Sequence, residues 1–268
     1  MQILLPGIGF NYAFNNGNDL FAGIHKGFSP PGMPSVSSTS GQAKVETAIN
    51  YELGYRYNNK AVQFQVAAFV NDYANILGSD NMSAGGLGTG DQFNAGNATI
   101  KGIELSFGYD FLYKENASVK LPINLAYTYT HATFRETFQN GGGDWGSGMI
   151  NKGDFIPFIT PHSFTASIGV ESNQFNATLV ARYIGETRTI PGKDKTIVPQ
   201  INEVYNNVNA IASFLIVDFS SNYQINKRLG TFATVSNLLN NKNIVANLPN
   251  GYRPSLPLSF ILGLKISL

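Results

Sequence analysis

The stretch Leu258-Ser-Phe-Ile-Leu-Gly-Leu-Lys-Ile-Ser-Leu268 alternates apolar and polar residues almost without a break. Leu258, Phe260, Leu262, Leu264, Ile266 and Leu268 fall on one side of an extended chain. Ser259, Gly263, Lys265 and Ser267 fall on the other, with Ile261 out of pattern. A period of two predicts a β-strand with one face against an apolar medium and one against a polar medium. A soluble sandwich could carry such a strand. Lys265 in mid-strand and a final leucine with no polar tail fit better with lipid on one side and a wet lumen on the other.

The same period recurs upstream. Ile103, Leu105, Phe107, Tyr109 and Phe111 alternate with Gly102, Glu104, Ser106, Gly108 and Asp110. Tyr51, Leu53, Tyr55 and Tyr57 oppose Glu52, Gly54 and Arg56. Val62, Phe64, Val66, Ala68 and Val70 oppose Gln63, Gln65 and Asn71, with Phe69 off pattern. Taken in order, the periodicity predicts eleven strands, at 3–14, 19–28, 47–57, 62–76, 99–112, 119–134, 164–172, 176–187, 213–225, 229–239 and 258–268. The connections alternate between short turns, such as Asn15-Asn-Gly-Asn18 and Asn58-Asn-Lys60, and long loops, of which 135–161 is the longest. Long loops therefore gather on one rim and short turns on the other, as in bacterial outer-membrane barrels with long extracellular loops and short periplasmic turns.

Parity adds a constraint. A closed up-and-down barrel in one bacterial chain has an even number of strands. An odd count leaves the first and last strands parallel. The expected fold class is all-β, an antiparallel up-and-down transmembrane β-barrel portion. Eleven is half of 22, the size at which barrels carry a plugged lumen.

Composition agrees. Charged residues make up 13% of the 268, about half the ordinary share. Aromatics reach 12%, with 19 Phe and 13 Tyr. Mean hydropathy is −0.07, as expected when strand faces average out, and no apolar run approaches the roughly 18 residues of a membrane helix. A net charge of +1 argues for no nucleic-acid partner. With no cysteine there is no disulfide scaffold and no thiolate metal site. Met1-Gln-Ile-Leu-Leu-Pro has neither the basic start nor the apolar core of a signal peptide, so the expectation is a mature chain or one missing its N-terminal part.

Six segments carry short patterns. Leu5-Pro-Gly-Ile-Gly-Phe-Asn-Tyr12 is similar to LPxxGxxY. Phe21-Ala-Gly-Ile-His-Lys-Gly-Phe-Ser-Pro-Pro31 is similar to xxGVHxGFxPP, with Ile24 in place of valine. Ile49-Asn-Tyr-Glu-Leu-Gly-Tyr-Arg-Tyr57 resembles xxYELGxRY, and Phe93-Asn-Ala-Gly-Asn-Ala-Thr-Ile-Lys-Gly-Ile-Glu104 resembles FNxGxAxxxGxE. Val235-Ser-Asn-Leu-Leu-Asn240 resembles VxNLFD, departing at Leu239 and Asn240, and Pro249-Asn-Gly-Tyr-Arg-Pro-Ser-Leu-Pro257 resembles PxGxRPxxP. In this order they resemble the C-terminal half of TonB-dependent outer-membrane receptors of the ferric-dicitrate type. Leu268 stands where such barrels usually end in Phe or Trp.

The resemblance implies that residues 1–268 are the C-terminal part of a receptor barrel, with the plug domain and TonB box outside them. It implies energy-dependent uptake of a ferric chelate across the bacterial outer membrane. The implied partners are that chelate, outer-membrane lipid, the N-terminal half with its plug, and the TonB complex through that half. The alternatives are a self-contained small outer-membrane channel or adhesin, and a soluble carbohydrate-binding sandwich.

No enzyme is expected. His25, His131 and His162 are far apart and lack metal-ligand spacing, Glu52 and Glu104 form no recognisable acid/base pair, and no cofactor motif is present. The candidate ligand-binding residues are the cations and histidine of the long-loop rim: Arg135, His162, Arg188, Lys193 and Lys195. Arginine in particular suits the carboxylates of an anionic chelate, through paired hydrogen bonds.

Overall fold

Eleven long strands follow one another around a single antiparallel sheet: β1 (Gly7–Phe14), β2 (Asn18–Ser29), β3 (Glu46–Asn58), β4 (Val62–Ala74), β5 (Ala98–Asp110), β6 (Pro122–Phe134), β7 (His162–Ser172), β8 (Phe175–Ile184), β9 (Phe214–Gln224), β10 (Leu229–Ser236) and β11 (Ser259–Ile266). A twelfth, two-residue strand, Val119–Lys120, also pairs with β7. The computed structural model describes residues 2–32, 43–79, 91–114, 117–141, 145, 147–193, 209–246 and 252–267. Each neighbour in the sheet is the next long strand in sequence. Among the described residues β1 pairs only with β2, and β11 only with β10. This is the all-β partial barrel expected from the alternation, with eleven long strands and two open edges that run parallel to each other. The arrangement is not a sandwich: among the described residues no second large sheet packs on either face.

Directly opposed residues of an antiparallel pair share a face, so the register carries the alternation across the wall. Phe10, Ala22, Leu53, Ala68, Ile103, Tyr129 and His162 form one row. The adjacent row on the other face is Asn11, Phe21, Gly54, Ala67, Glu104, Thr128 and Ser163. The first face is the outward, apolar one. The second, inward face carries Glu52, Arg56, Gln63, Gln65 and Glu104, and these two glutamates sit on neighbouring rows of it. Leu53, Ile103, Phe260, Leu262 and Leu264 are exposed, which only an apolar surrounding would tolerate in such number. β3 to β6 each have 13 residues, more than the roughly 9–11 needed to cross a bilayer.

Phe69, the residue out of pattern, has a reason to face inward. Its ring covers Gly102 of the neighbouring strand, where an added Cβ would lie 2.8 Å from the ring and 2.0 Å from the Tyr129 carbonyl. Phe21 over Gly54 and Phe232 over Gly263 repeat the arrangement, an aromatic filling the space that a strand glycine leaves.

Strand ends depart from the periodicity where local chemistry intervenes. β1 starts at Gly7 rather than residue 3, just past Pro6, whose carbonyl accepts from Lys26 N–H at 3.0 Å. The predicted strand 119–134 is broken at Leu121, whose N–H turns to the Asp110 carboxylate at 2.8 Å, and Pro122 opens β6 where a proline is tolerated. β10 stops at Ser236 because Asn237 has φ +52°. The short turns use asparagine. Asn16 and Gly17 take positive φ between β1 and β2. Asn59 Oδ1 accepts from Ala61 and Val62 N–H, and Asn226 Oδ1 does so from Arg228 and Leu229, a side chain imitating a backbone turn.

Four of the long connections contain two-stranded ribbons that the periodicity did not predict: Leu77–Ser79 with Gln92–Asn94, Phe138–Gly141 with Ser147–Ile150, Thr187–Arg188 with Ala210–Ile211, and Ile244–Ala246 with Arg253–Pro254. The first two fold over the inward face. Ala98, Ala132 and Phe134 of the wall, with Ala95, Trp145, Ile150 and Ile156, form a buried cluster at the long-loop end. Phe93 and Phe134 each meet the indole of Trp145 edge-on, at 5.6 Å.

Candidate functional site at the long-loop rim

The site is built where β6 passes β7. Above His162 the edge of β6 is taken over by the segment before β7: Ile156 N–H donates to Ala132 O at 3.1 Å, Phe134 N–H to Asp154 O at 3.0 Å, and Thr133 bridges Phe155. Just before β7, Pro161 O accepts from Thr130 N–H at 2.9 Å, and residues 157–160 between the two sets of contacts turn toward Arg188, whose carbonyl accepts from Phe158 N–H at 2.8 Å. Beside them is a cavity of 420 Å³ whose lining includes Tyr129, His131, Phe155, His162, Tyr183 and Arg188.

His162 Nδ1 lies 2.9 Å from the Tyr127 hydroxyl, and its ring is 5.1 Å from that of Tyr129. His131 meets Phe155 edge-on at 5.2 Å. The Arg188 guanidinium stacks over the other part of the site, 5.5 Å from the Phe155 ring centre, and donates to the Lys193 carbonyl. Arg188 is only 6% exposed, unusual for an arginine without a surrounding set of partners.

Of the rim residues expected from the sequence, the structure therefore brings His162 and Arg188 into one cavity, with Lys193 holding Arg188 through its backbone. Lys193 itself is exposed, its ammonium beside Gly153. Arg135 stands apart, half-exposed just beyond β6, with Nη1 3.5 Å from Asp72 Oδ1, an oxygen that also accepts from Thr99 at 2.7 Å. Lys195 lies outside the described residues. His162 opens β7 at the long-loop end, and its register places it on the outward face.

His131 and His162 do share a site, which their separation in sequence hid. The usable signal was parity: His131 is two and four residues beyond Tyr129 and Tyr127, on their face. Among the described residues, no group of three or more His, Asp or Glu side chains is placed to hold a metal. A hollow of 580 Å³ over Ala22 and Ala68, between Phe10, Leu53 and Val70, is on the outward apolar face and gathers almost no polar groups.

At the last long loop, Asn237 is 2% exposed and binds in four directions. Its Nδ2 donates to Asn241 O at 2.9 Å and Leu256 O at 2.8 Å, its Oδ1 accepts from Asn241 N–H at 3.0 Å, and its own N–H reaches Asp218 Oδ1 at 2.8 Å. It ties the start and end of the loop to β9, and so sets the entry of β11.

The wall has solved counterparts. The ferric-catecholate import receptor Fiu of E. coli K12 superposes with a TM-score of 0.67 at 18% identity, covering 97% of this chain and 34% of that one. The ferric citrate transporter FecA gives 0.68 at 18% identity, with 97% and 38% covered. The copper transporter OprC gives 0.66 at 16%, with 97% and 39% covered. This chain thus spans somewhat over a third of the length of each, and at such identities the likeness is one of fold. No curated protein matches in sequence. The model of the family described as TonB dependent receptor-like, beta-barrel, matches residues 2–238. The chain belongs to that family.

Proposed function

We propose that residues 1–268 form the C-terminal part of the wall of a TonB-dependent outer-membrane receptor that takes up a ferric chelate, of the ferric-dicitrate type. The observation that supports this most is the pair of open, parallel edges. A second copy of this chain would meet β11 with another β1 running the same way, giving two parallel seams. A complement with an odd number of strands, its two edge strands running opposite to β1 and β11, restores antiparallel pairing at both. Eleven such strands would make 22, the plugged class. The plug domain and the segment that meets TonB are then carried by the receptor's N-terminal half, with the long loops outside the cell and the short turns in the periplasm.

The fold is shared with a copper transporter, so the cargo is inferred from the dicitrate-type segments of the sequence and not from the architecture. Arg135, Lys193 and Lys195 are the proposed attractors of the anionic chelate at the rim. Arg188 and His162 line the cavity beside β7.

Uptake of radio-iron supplied as ferric citrate tests the reading. Cells with the receptor should accumulate iron, cells without it should not, and collapse of the proton-motive force should abolish the difference. Equal uptake with and without the receptor refutes the assignment of the cargo.

A further inference from the structure

At the short-turn end of the wall the charges point one way. The Lys, Arg, Asp and Glu residues of the strands there are Asp19, Arg56, Asp110, Lys120, Glu171 and Lys265, and by register all of them face inward. The outward residues at the same level are Tyr57, Val62, Tyr109, Ile123, Val170 and their like. Among the described residues the short turns add Lys60, Lys114, Lys227 and Arg228, and no acid. The strand charges of this end therefore address the mouth of the lumen and not the lipid.

A cavity of 550 Å³ opens on the inward face where β4, β5 and β6 meet their short turns. Lys60, Gln63, Lys114, Lys120, Asn124 and Glu171 are in its lining. Gln63 and Asn124 flank Gly108 in one inward row. The Asp110 carboxylate is tied to the chain, its Oδ1 accepting from Leu112 N–H at 3.1 Å and Leu121 N–H at 2.8 Å. Glu171, opposite Lys120 in the register, is the other acid. Lys114 and Lys120 are exposed and form no ion pair among the described residues. Further round the wall a second hollow, of 300 Å³, repeats the composition with Lys265, Asn176, Asn222 and Gln224. Neither lining includes a valine, leucine, isoleucine or methionine. A protein partner would need an apolar core at its contact. Ammonium and carboxamide donors around a concavity of this size suit a small polyanion.

We propose that the 550 Å³ cavity is an inner carboxylate site that holds the anionic chelate as it leaves the lumen on the periplasmic side. Lys114 and Lys120 supply the charge, and Gln63 and Asn124 the neutral donors. Cations at the exit hold the cargo once the rim has released it and slow its return. The inference rests on the reading above, in which the cargo is an anionic chelate and the long loops face outward.

Reductive methylation of the assembled receptor, plug included, with isotope-labelled formaldehyde makes each accessible lysine visible by NMR and keeps its charge. The probes are citrate and its diamagnetic gallium(III) complex, and Lys114→Gln and Lys120→Gln assign the two signals. Both signals should shift and saturate with either probe. Lys114→Gln should raise the midpoint read on Lys120 about fivefold, the upper end for an exposed charge pair, and leave the midpoint read on Lys193 at the rim unchanged. Three results overturn the proposal: Lys114 and Lys120 fail to label, which would mean that the N-terminal half covers them; the midpoint on Lys120 is the same in the Lys114→Gln variant; or sulfate at equal ionic strength gives the same shifts and midpoint. A response of Lys193 without one of Lys120 overturns this proposal and leaves the uptake reading standing. No response of any lysine to gallium citrate overturns both.

Discussion

Asn237→Ala should loosen the last long loop without dissolving the wall. The substitution removes three side-chain hydrogen bonds of 2.8–3.0 Å from a residue 2% exposed. The Asn241 N–H loses its acceptor, and two carbonyls lose a donor. A buried group left unsatisfied costs about 1–3 kcal/mol, with the carbonyls at the low end because each keeps a second lone pair. Alanine must also hold the +52° φ that asparagine tolerates, at about 1 kcal/mol. Together these come to about 4 kcal/mol, felt as easier local opening of the segment between β10 and β11. Amide hydrogen exchange on the assembled barrel reads this directly. Protection of Asn241 and Leu238 should fall by about a thousandfold, while Leu105 in mid-wall should be unchanged. Asn237→Gly relieves only the backbone strain and should recover about 1 kcal/mol of the loss. Asn241 protection within a few-fold of wild type, or full recovery in the glycine variant, would refute the role given to the side chain.

Two further outcomes follow from the same geometry. Leu105→Arg puts a charge on the outward face in mid-wall and should cost about 2–4 kcal/mol in a urea titration with lipid vesicles. Glu104→Arg, one residue away on the inward face, should cost less than about 1 kcal/mol in the same titration, and equal losses would refute the assignment of faces. Trp145 is the chain's single tryptophan, so its fluorescence reports the loop cluster alone. A Cβ at Gly78 would lie 2.8 Å from the indole, and Gly78→Ala should therefore shift the emission to longer wavelength while the wall's circular dichroism stays unchanged.

The wall was legible in the sequence because its cause is local. Each residue of an alternating strand reports its own environment, so Ile103 to Tyr109 or Phe260 to Ile266 declare two different solvents without knowledge of their neighbours. The turns were legible for a related reason: Asn16-Gly17, Asn59 and Asn226 act within two or three residues of themselves. Strand number and strand order followed, and with them the parallel edges. Phe69 and Ile261 broke the pattern, and no local rule explains them. Phe69 faces inward because Gly102, thirty-three residues on, leaves room for its ring.

The rim was decided by the tertiary structure alone. Whether a loop cation is solvated or enclosed depends on what packs against it from elsewhere in the chain. Arg188 is enclosed because Phe155 and the Lys193 backbone close around it, whereas Arg135 is drawn aside to Asp72. His131 and His162 meet because β6 and β7 are paired in one particular register. A shift of one residue in that pairing would send one of the two histidines to the lumen. Alternation fixes which face a residue takes, since that depends on its own backbone. Which residues share a cavity depends on pairing and loop packing between distant segments, and a single sequence carries no periodicity that records it.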